Sequence, residues 1–192
     1  MSLDKERIPI VIGKNGETKK KIEELTNTKI TIDSNTGKFQ IEANVSSPDD
    51  LKSLPDDGGV RVYITQHILE AIGLGFNPEK ALKLLNQESV LEIINLEEVL
   101  GHSEKKITRM KGRLIGDQGK IRMAIEQMSG VSFSVHKKFI ALIGDFESIK
   151  IAKKAISMIT QGAPHKTVLN YLQDEYQRKK QKEFTEMWKP TL

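Results

Sequence analysis

The sequence contains no cysteine. This absence excludes disulfide bonds, thiolate metal sites and cysteine nucleophiles, and it fits a reducing intracellular setting. Long apolar runs are also absent, since no uncharged stretch approaches the length that spans a bilayer. The first residues, MSLDKERIPIVIGK, are too charged for a secretory signal. We therefore expect a cytoplasmic protein with no membrane segment.

Sequence motifs of several enzyme classes are absent as well. The chain has no GxxxxGK[ST] phosphate loop, no HExxH zinc motif and no GxSxG nucleophile motif. Its histidines are far apart in the sequence and form no local ligand pattern: His67, His102, His136 and His165. The acidic pair Asp56 and Asp57 precedes two glycines and predicts a loop and a helix cap. We expect a non-enzymatic protein with no catalytic residue, no cofactor and no metal ion.

The composition is that of a folded protein with locally concentrated charge. Its 192 residues, of which 38% are hydrophobic, suffice for one ordinary domain or two small ones. The net charge is only +4, which says little about partners. From Ser103 to Arg122, however, there are seven basic residues and two acidic ones, a net +5 over 20 residues. Such a run either attracts a polyanion or forms the solvated face of a helix, and the second explanation is the commoner one for a lone run.

The chain repeats a pattern at an interval of 103 residues. At this offset aliphatic and glycine positions coincide: Ile12 with Ile115, Gly13 with Gly116, Gly16 with Gly119, Ile22 with Ile125, Leu25 with Met128, Ile30 with Phe133 and Ile32 with Val135. Each copy contains a GxxG turn that follows an aliphatic residue and an isoleucine. A lone GxxG has little meaning, but two in matching surroundings indicate a duplicated unit.

The residues around each turn predict the same order of helix, strand, strand and helix. Apolar residues at Ile121, Ala124, Ile125 and Met128 predict an amphipathic helix that begins at Gly119. The other predicted elements are strands over 29–33, 38–43, 90–95, 131–135 and 139–143, and helices through 64–72, 78–86, 149–159 and 167–184. The predicted caps and helix ends are Asn27, Asn77, Gly130 and Asp145.

A glycine turn that leads into a helix favours phosphate binding. Without side chains the backbone can pass close to another chain, and the helix behind it presents unpaired N–H groups at its positive end. Lys14 lies inside the first turn, and Lys19, Lys20 and Lys21 follow it. A purely structural turn is the alternative; it explains either turn alone but not their shared surroundings.

Two segments, VIGKNGETKKKIEELTNTKITI and LIGDQGKIRMAIEQMSGVSFSV, resemble the core of the KH domain. The resemblance implies an α+β fold of two tandem type I KH domains, each with a three-stranded sheet packed on three helices, plus an inter-domain helix and a C-terminal helix. It also implies that each GxxG loop clamps the backbone of about four single-stranded nucleotides. Because aromatic residues make up only 5% of the chain, we expect bases to pack on aliphatic side chains.

The whole chain, with its GFNPEKALKLLN, LEIINL, GRLIGDQGK and GAPHKTVLNYL segments, is similar to the archaeal ribosome-assembly KH proteins related to the Partner of Nob family. This similarity implies single-stranded RNA binding near the 3′ end of small-subunit (pre-)rRNA during ribosome assembly and rRNA processing. The implied partners are rRNA, the small ribosomal subunit precursor, the Nob endonuclease and the alpha subunit of translation initiation factor two.

The resemblance also suggests domain bounds. We expect a first KH domain over residues 1–76, a connecting helix over 77–88, a second KH domain over 89–163, and a C-terminal helix and tail over 164–192. Pro9 precedes Gly13 by only four residues, so the opening strand and helix of the first domain are clipped. One consequence is an incomplete groove, which favours a scaffold or protein-binding role for this domain.

The resemblance transfers RNA-binding roles to matching positions. The expected RNA-binding residues are Ile12, Gly13, Lys14, Asn15, Gly16, Lys19, Lys20, Arg113, Ile115, Gly116, Asp117, Gln118, Gly119, Lys120, Arg122, Lys137 and Lys138. The strand residues Ile30, Ile32, Phe133 and Val135 are divided between the groove and the core. Asp117 departs from the family pattern because it puts a carboxylate where a phosphate passes.

Two other functions stay open at this point. An adaptor that keeps the KH scaffold but binds RNA weakly is favoured by Asp117 and by the mixed-charge segment DEYQRKKQKEF. An RNA-binding factor of RNA decay or general translation keeps the clamp but changes its setting. Only the similarity over the whole chain argues against this last alternative.

Overall fold

The computed structural model describes residues 3–33, 36–44 and 58–187. The predicted cap at Asp56 and Asp57 lies outside the described residues. The chain divides into two compact units, residues 1–91 and 92–192. In the described ranges, no helix combines the length and the apolar character that a membrane crossing requires.

The first unit contains one long helix and several shorter ones around a hairpin. Its elements are α1 (Ile8–Ile12), α2 (Glu17–Thr26), β1 (Thr28–Ile32), β2 (Phe39–Ala43), α3 (Gly58–Gly73) and α4 (Pro78–Ala81), the last continued by a 3₁₀ turn over Leu82–Leu85. Strands β1 and β2 are antiparallel, with Ile30 opposite Ile41. The segment before α1 is tied to the hairpin, because the Leu3 amide donates to the Gly37 carbonyl at 2.8 Å.

The second unit begins with the strand at the unit boundary. Its elements are β3 (Val90–Asn95), α5 (Leu96–Leu100), α6 (Glu104–Ile115), α7 (Lys120–Ser129), β4 (Ser132–His136), β5 (Phe139–Gly144), α8 (Phe146–Thr160) and α9 (His165–Met187). The sheet order is β3-β5-β4, and β4 and β5 form an antiparallel hairpin with Phe133 opposite Leu142. Strand β4 therefore lies at one edge of the sheet.

The α+β fold of two KH units is confirmed, with one difference between the units. The second unit has the three strands that we expected, in one sheet. The described residues of the first unit contain two strands, and α1 there has only 5 residues. The finer bounds that we expected for the domains stay a prediction.

Each unit has its own apolar core. In the first, α2, β1 and α3 bury Ile22, Ile30 and Ile68 completely. In the second, the cluster joins α6, α7, the sheet and α8, and α9 adds Val168 and Leu172. Burying an aliphatic side chain of this size stabilises the fold by roughly 1.5–3 kcal/mol. The cores hold the two GxxG turns in place because the buried faces of the flanking helices are anchored there.

The predicted caps are confirmed. The Asn77 side chain accepts a hydrogen bond from the Lys80 amide at 2.9 Å, and Asp145 accepts one from the Ser148 amide at 2.8 Å. Helices α2 and α7 end at residues in the left-handed region, Asn27 with φ 49° and Gly130 with φ 87°. These residue types end helices because they reach positive φ at low cost.

Candidate nucleic-acid interface

The two GxxG turns have nearly the same backbone conformation. In the first turn φ/ψ is 73°/179° at Gly13, 55°/23° at Asn15 and 80°/10° at Gly16. In the second turn φ/ψ is 72°/175° at Gly116, 51°/25° at Gln118 and 77°/12° at Gly119. Each turn contains three positive φ values in four residues, which few sequences without glycine adopt. The repeat seen in the sequence is thus a repeat of backbone geometry.

The first glycine of each turn packs tightly against the helix that follows. A Cβ atom at Gly13 would lie 2.2 Å from the Thr18 Oγ1 atom, and one at Gly116 would lie 2.5 Å from the Ile121 Cγ1 atom. Both distances are far below van der Waals contact. The backbone amides of Gly13 and Gly116 also end the preceding helices, since they donate to Pro9 and Gly112 carbonyls at 2.8 Å. No side chain fits at either glycine.

The last glycine of each turn faces open space. A Cβ atom built at Gly16 or Gly119 meets no described atom within 4 Å beyond its chain neighbours. Their φ values, +80° and +77°, still favour glycine. Here the absence of a side chain has no packing purpose inside the protein. It leaves room for the backbone of another molecule.

Each turn delivers its chain to the start of a helix. Helix α2 begins at Glu17 and α7 at Lys120. The first amides of a helix have no partner within it and carry the positive end of the helix dipole. The residue before each helix is glycine, which has no side chain that can cap these amides. In both turns, however, the amide of the first helical residue already has a partner, since Glu17 donates to the Lys14 carbonyl and Lys120 to the Asp117 carbonyl. What each turn offers an anion such as phosphate is therefore the positive end of the helix dipole.

Charge differs between the two turns. The first carries Lys14, which is exposed, and Lys20 follows on the exposed side of α2. Lys19 is partly compensated, because its Nζ atom lies 3.8 Å from the Glu23 Oε1 atom. Glu17 stands in the first turn of α2 and opposes an anion there. The first turn nevertheless has a basic side chain at its tip.

The second turn carries a carboxylate and an amide at its tip. Asp117 and Gln118 are exposed, and the Lys120 Nζ atom lies 3.7 Å from the Asp117 Oδ2 atom. Both side chains are well exposed, 68% and 81%, so the pair contributes about 0–1 kcal/mol and breaks easily. Arg122 forms an ion pair with Glu126, since its Nε atom lies 3.8 Å from the Glu126 Oε2 atom. Positive charge is thus present beside this turn but partly engaged.

A glutamate in each unit ties the helix after the turn to the neighbouring strand. The Glu23 Oε1 atom accepts from the Ile30 amide at 2.6 Å, and the Glu126 Oε1 atom accepts from the Phe133 amide at 3.0 Å. Sequence reasoning missed this pair. The signal was available, because Glu23 and Glu126 coincide at the offset of 103 residues.

The strand residues that we divided between groove and core share one face within each hairpin. Ile30 and Phe133 are completely buried, while Ile32 and Val135 are half-buried. All four are core-side residues, since alternate residues of a strand share a face. The Phe133 amide bonds to Glu126 rather than to β5. The backbone of Val135, two residues later, points the same way, toward the open edge of β4.

Two isoleucines border the turns on the side of the preceding helix. Ile12 is half-buried, and Ile115 is 36% exposed. Each stands immediately before the first glycine of its turn. They offer aliphatic surface beside the turns, as expected for a groove that receives bases without aromatic side chains.

Arg113 has a structural role that the sequence did not reveal. Its guanidinium donates to the Ile159 carbonyl at 2.9 Å and to the Ala163 carbonyl at 2.7 Å. In the first unit Arg7 makes the equivalent bonds, to Ile72 at 2.8 Å and Phe76 at 2.6 Å. Each arginine binds one carbonyl in the last turn of a long helix, α3 or α8, and one carbonyl three residues beyond the end of that helix. The structure thus places the Arg113 side chain at the end of α8.

Lys137 and Lys138 lie in the turn between β4 and β5. Lys137 is exposed and has a φ of 50°. The Lys138 Nζ atom lies 2.5 Å from the Glu97 Oε2 atom, and this hydrogen bond and the charge of Lys138 lower the pKa of Glu97 below its ordinary value. Lys137 is therefore the more accessible of these two cations.

Within the described ranges no group of three or more His, Cys, Asp or Glu side chains is placed to hold a metal ion.

Comparison with known families identifies both units. A model described as the eukaryotic-type KH domain, KH domain type I, matches residues 90–177, and a KH-domain model matches residues 1–50. A KH domain-containing protein of Methanocaldococcus jannaschii is 38% identical over 98% of this chain and 78% of that protein. The chain belongs to the KH-domain family.

Within the KH family, the chain is similar to ribosome-assembly proteins. The pre-rRNA-processing protein PNO1 of Coccidioides immitis is 27% identical over 76% of this chain. The chain spans 58% of the length of that protein. A chain in the crystal structure of the a/eIF2alpha-aDim2p-rRNA complex from Pyrococcus horikoshii is 42% identical in sequence to this one. The two structures superpose with a TM-score of 0.82 over 93% of each chain. The resemblance to the archaeal relatives of the Partner of Nob family is confirmed.

Proposed function

We propose that the protein binds single-stranded RNA in the 3′-end region of small-subunit (pre-)rRNA during ribosome assembly and processing, and that its two GxxG turns clamp the RNA backbone. The observation that carries the proposal is the pair of matching turns. Each has an open last glycine, with φ +80° at Gly16 and +77° at Gly119, directly before a helix. This is a geometry that admits a sugar–phosphate backbone to the positive end of a helix dipole.

The proposed clamp works through three contacts. Phosphates approach the open glycine at the start of α2 or α7, where the helix dipole is positive. Bases rest on aliphatic surface beside the turn, at Ile12 and Ile115. Base edges meet the outward backbone groups of the edge strand near Val135, two residues from the amide that Glu126 occupies. Non-polar packing and backbone hydrogen bonds then select the strand, and phosphate contacts supply affinity.

Cations beside the turns complete the proposed clamp. Lys14 and Lys20 serve the first turn, and Lys120, Arg122 and Lys137 serve the second. Lys138 and Arg113 contribute less in this scheme, because one is held by Glu97 at 2.5 Å and the other by two carbonyls. Phosphate binding through these cations makes the affinity salt-dependent.

The proposed partners rest on the relatives. Binding to rRNA and to the alpha subunit of initiation factor two is supported by the complex of aDim2p with a/eIF2alpha and rRNA. An encounter with the Nob endonuclease on the small-subunit precursor, in the cytoplasm, rests on the family resemblance alone. A pull-down of each purified partner with the full chain tests these proposals one at a time.

The direct test of RNA binding is a fluorescence-anisotropy titration. The probe is a short single strand that matches the mature 3′ end of small-subunit rRNA, with a scrambled strand and a duplex beside it, at two salt concentrations. We expect tight binding of the matching strand that weakens with salt. Equal binding of the scrambled strand, or no binding, would contradict the proposal. It would favour the adaptor function, for which the carboxylate of Asp117 at the turn is the supporting observation.

A further inference from the structure

Helix α6 has a buried face and a strongly basic face. Ile107, Met110 and Leu114 point into the core, with exposed fractions of 8%, 9% and 0%. The remaining surface carries four cations, which we call the α6 basic face: Lys105, Lys106, Arg109 and Lys111. Glu104 is the one acidic residue of this helix. Five of the seven basic residues of the charge run found in the sequence therefore lie on this one helix, and the other two, Lys120 and Arg122, lie on α7.

The α6 basic face has no counter-charge in the described part of the chain. None of its four cations forms a hydrogen bond or ion pair there. By contrast, Lys120, Arg122 and Lys138 each lie within 4 Å of a carboxylate. Like charges four residues apart on a helix, as at Lys105 and Arg109, destabilise it by roughly 0.2–0.5 kcal/mol. The face therefore lowers the stability of α6 unless an anion binds it.

Gly112 adds an independent observation on the same side of α6. It follows Lys105 and Arg109 at the spacing i, i+4, i+7 and is exposed. A Cβ atom there would meet nothing within 4 Å, and its φ is in the ordinary helical range. Glycine inside a helix costs roughly 0.5–1 kcal/mol relative to alanine. No packing or backbone need explains this glycine, but close approach by another molecule does.

The described residues before the first GxxG turn form no counterpart of this face. Helix α1 occupies the matching place before the first GxxG turn, and its sequence IPIVI contains no charged residue. The α6 basic face therefore does not belong to the duplicated clamp. It is an additional feature of the second unit.

We propose that the α6 basic face binds the phosphate backbone of an RNA duplex that adjoins the single strand held by the second GxxG turn. This inference rests on the proposed function. Apart from Ile115 at its C-terminal end, beside the turn, the face offers cations, Thr108 and the bare backbone at Gly112. It has no other exposed aliphatic or aromatic side chain that could receive an unpaired base. A duplex hides its bases and presents phosphates, and RNA duplexes are recognised mainly through shape and backbone contacts.

The test compares three kinds of RNA with the full chain: a short single strand, the same strand attached to a stem, and the blunt stem alone. The stem is placed on the 5′ side in one probe and on the 3′ side in another. The test variant is Lys105→Gln/Arg109→Gln. The control is Lys150→Gln/Lys154→Gln on α8, because both lysines are exposed, four residues apart and without a described partner. Both variants remove two positive charges from the second unit.

We expect the wild-type protein to bind one stemmed RNA more tightly than the bare strand. Lys105→Gln/Arg109→Gln removes that gain and lowers the salt slope for the stemmed RNA by about 2, roughly one per lost phosphate contact. It leaves bare-strand affinity unchanged, and the α8 control keeps the gain. The inference is overturned if the stem adds no affinity in the wild-type protein, or if both variants lose the same share of that added affinity. It is also overturned if the α6 variant weakens binding of the bare strand as much as binding of the stemmed RNA.

Gly112→Ala provides a second test, in which stability and RNA affinity are expected to change in opposite directions. It raises the melting temperature, because alanine stabilises a helix interior, and it weakens binding of the stemmed RNA. If Gly112→Ala bound the stemmed RNA as tightly as the wild-type protein, the RNA would not approach the backbone closely at Gly112. The blunt stem separates this inference from the clamp: if no single strand binds but the stem still binds through Lys105 and Arg109, the clamp fails and the basic face stands.

Discussion

The two glycines of each GxxG turn are required for different reasons. Gly13 and Gly116 have no room for a side chain, with Cβ contacts of 2.2 and 2.5 Å, and their φ/ψ values lie in a region that is essentially restricted to glycine. Gly16 and Gly119 have open space outside. Substitution at the first position therefore tests stability, and substitution at the last tests ligand binding.

Gly116→Ala should destabilise the second unit more than Gly119→Ala. The methyl group at Gly116 overlaps Ile121 and forces a strained backbone, so we expect a loss of about 2–4 kcal/mol in the free energy of unfolding. At Gly119 only the positive φ opposes alanine, which costs about 1–2 kcal/mol. Urea unfolding followed by circular dichroism measures both. An equal loss in the two variants would show that the close contact with Ile121 is unimportant.

Asp117→Asn should strengthen RNA binding. The substitution removes a negative charge from the tip of the second turn and releases Lys120, now 3.7 Å from the carboxylate. Gln118→Glu is the matched reverse change at the next position and should weaken binding. Anisotropy titrations at low salt measure both dissociation constants. If Asp117→Asn does not change the affinity, the RNA does not pass this turn.

The turn residues could be predicted from the sequence, but the bonds around them could not. The offset of 103 residues aligns Gly13 with Gly116 and Gly16 with Gly119, and their backbone angles do match. The bonds of Glu23 and Glu126 to strand amides join residues seven positions apart. Arg113 binds carbonyls 46 and 50 residues away. Long-range partners of this kind depend on tertiary packing, which local patterns do not contain.

At the scale of elements, Asp145 links the start of α8 to α9. It accepts hydrogen bonds from the Ser148 amide at 2.8 Å and hydroxyl at 2.6 Å, and the Lys179 Nζ atom lies 3.8 Å away. Burial raises the pKa of Asp145, but the bonds from Ser148 and the charge of Lys179 lower it by more, so the net pKa is below its ordinary value. The ionised carboxylate is the form that stabilises the fold.

Asp145→Ala should lower the free energy of unfolding by about 1 kcal/mol near neutral pH. Because the folded pKa is lowered, the contribution of the charge is complete above the ordinary aspartate pKa and disappears as pH falls through the folded value. The difference between wild type and variant therefore shrinks in acid. Asp145→Asn keeps the cap and isolates the charge. Urea unfolding across the acid range measures both, and a pH-independent difference would contradict the lowered pKa.

Arg113→Ala should destabilise the second unit although it changes one partly exposed residue. It removes charge-assisted bonds to the Ile159 and Ala163 carbonyls and leaves these carbonyls without that partner, a loss of about 2 kcal/mol. Lys111→Ala is the control two residues earlier, and it should change stability by no more than about 0.5 kcal/mol. Thermal unfolding compares the two. Equal melting temperatures would mean that the arginine does not support α8.

Most elements followed from sequence periodicity, and the exceptions have physical reasons. Strand β3 and the caps at Asn77 and Asp145 are where the pattern predicted them. Helices α1 and α5 were missed because five residues are too few to show a period, although the Asn95 cap of α5 accepts from the Glu97 amide at 3.1 Å. Helix α6 was considered only as one explanation of the basic run. The helix predicted from Pro78 to Asn86 is a single α turn followed by a 3₁₀ turn.

At the scale of the whole molecule, the duplication is unequal. The second unit has a three-stranded sheet, a basic helix before its turn and the long helix α9. The described first unit has a hairpin and an uncharged α1. Yet the tip of the first turn is basic and that of the second is acidic. Exposed positive charge thus lies at the turn in one unit and on the preceding helix in the other, and we propose that both attract RNA.

The family could be predicted from the sequence because its signature is local and occurs twice. In each copy the GxxG turn, the helix after it and the alternating strand follow one another directly in the sequence, so they can be recognised without tertiary information. The number of strands in the first unit and the helix-end role of Arg113 depend on packing between distant segments. These features became visible only in the structure.

The most direct measurement of the clamp compares two double variants that differ only in charge. Gly16→Asn/Gly119→Asn and Gly16→Asp/Gly119→Asp add side chains of nearly equal size, and both residue types tolerate positive φ. Circular dichroism and urea unfolding first verify that both are folded. Each is then titrated against the single strand matching the 3′ end of small-subunit rRNA.

We predict that the Asp variant loses at least about tenfold in affinity relative to the Asn variant, because its carboxylates stand where phosphates approach the helix amides. The loss should be largest at low salt, where repulsion is least screened. If both folded variants bind the strand as tightly as the wild-type protein, the GxxG turns do not hold the RNA backbone.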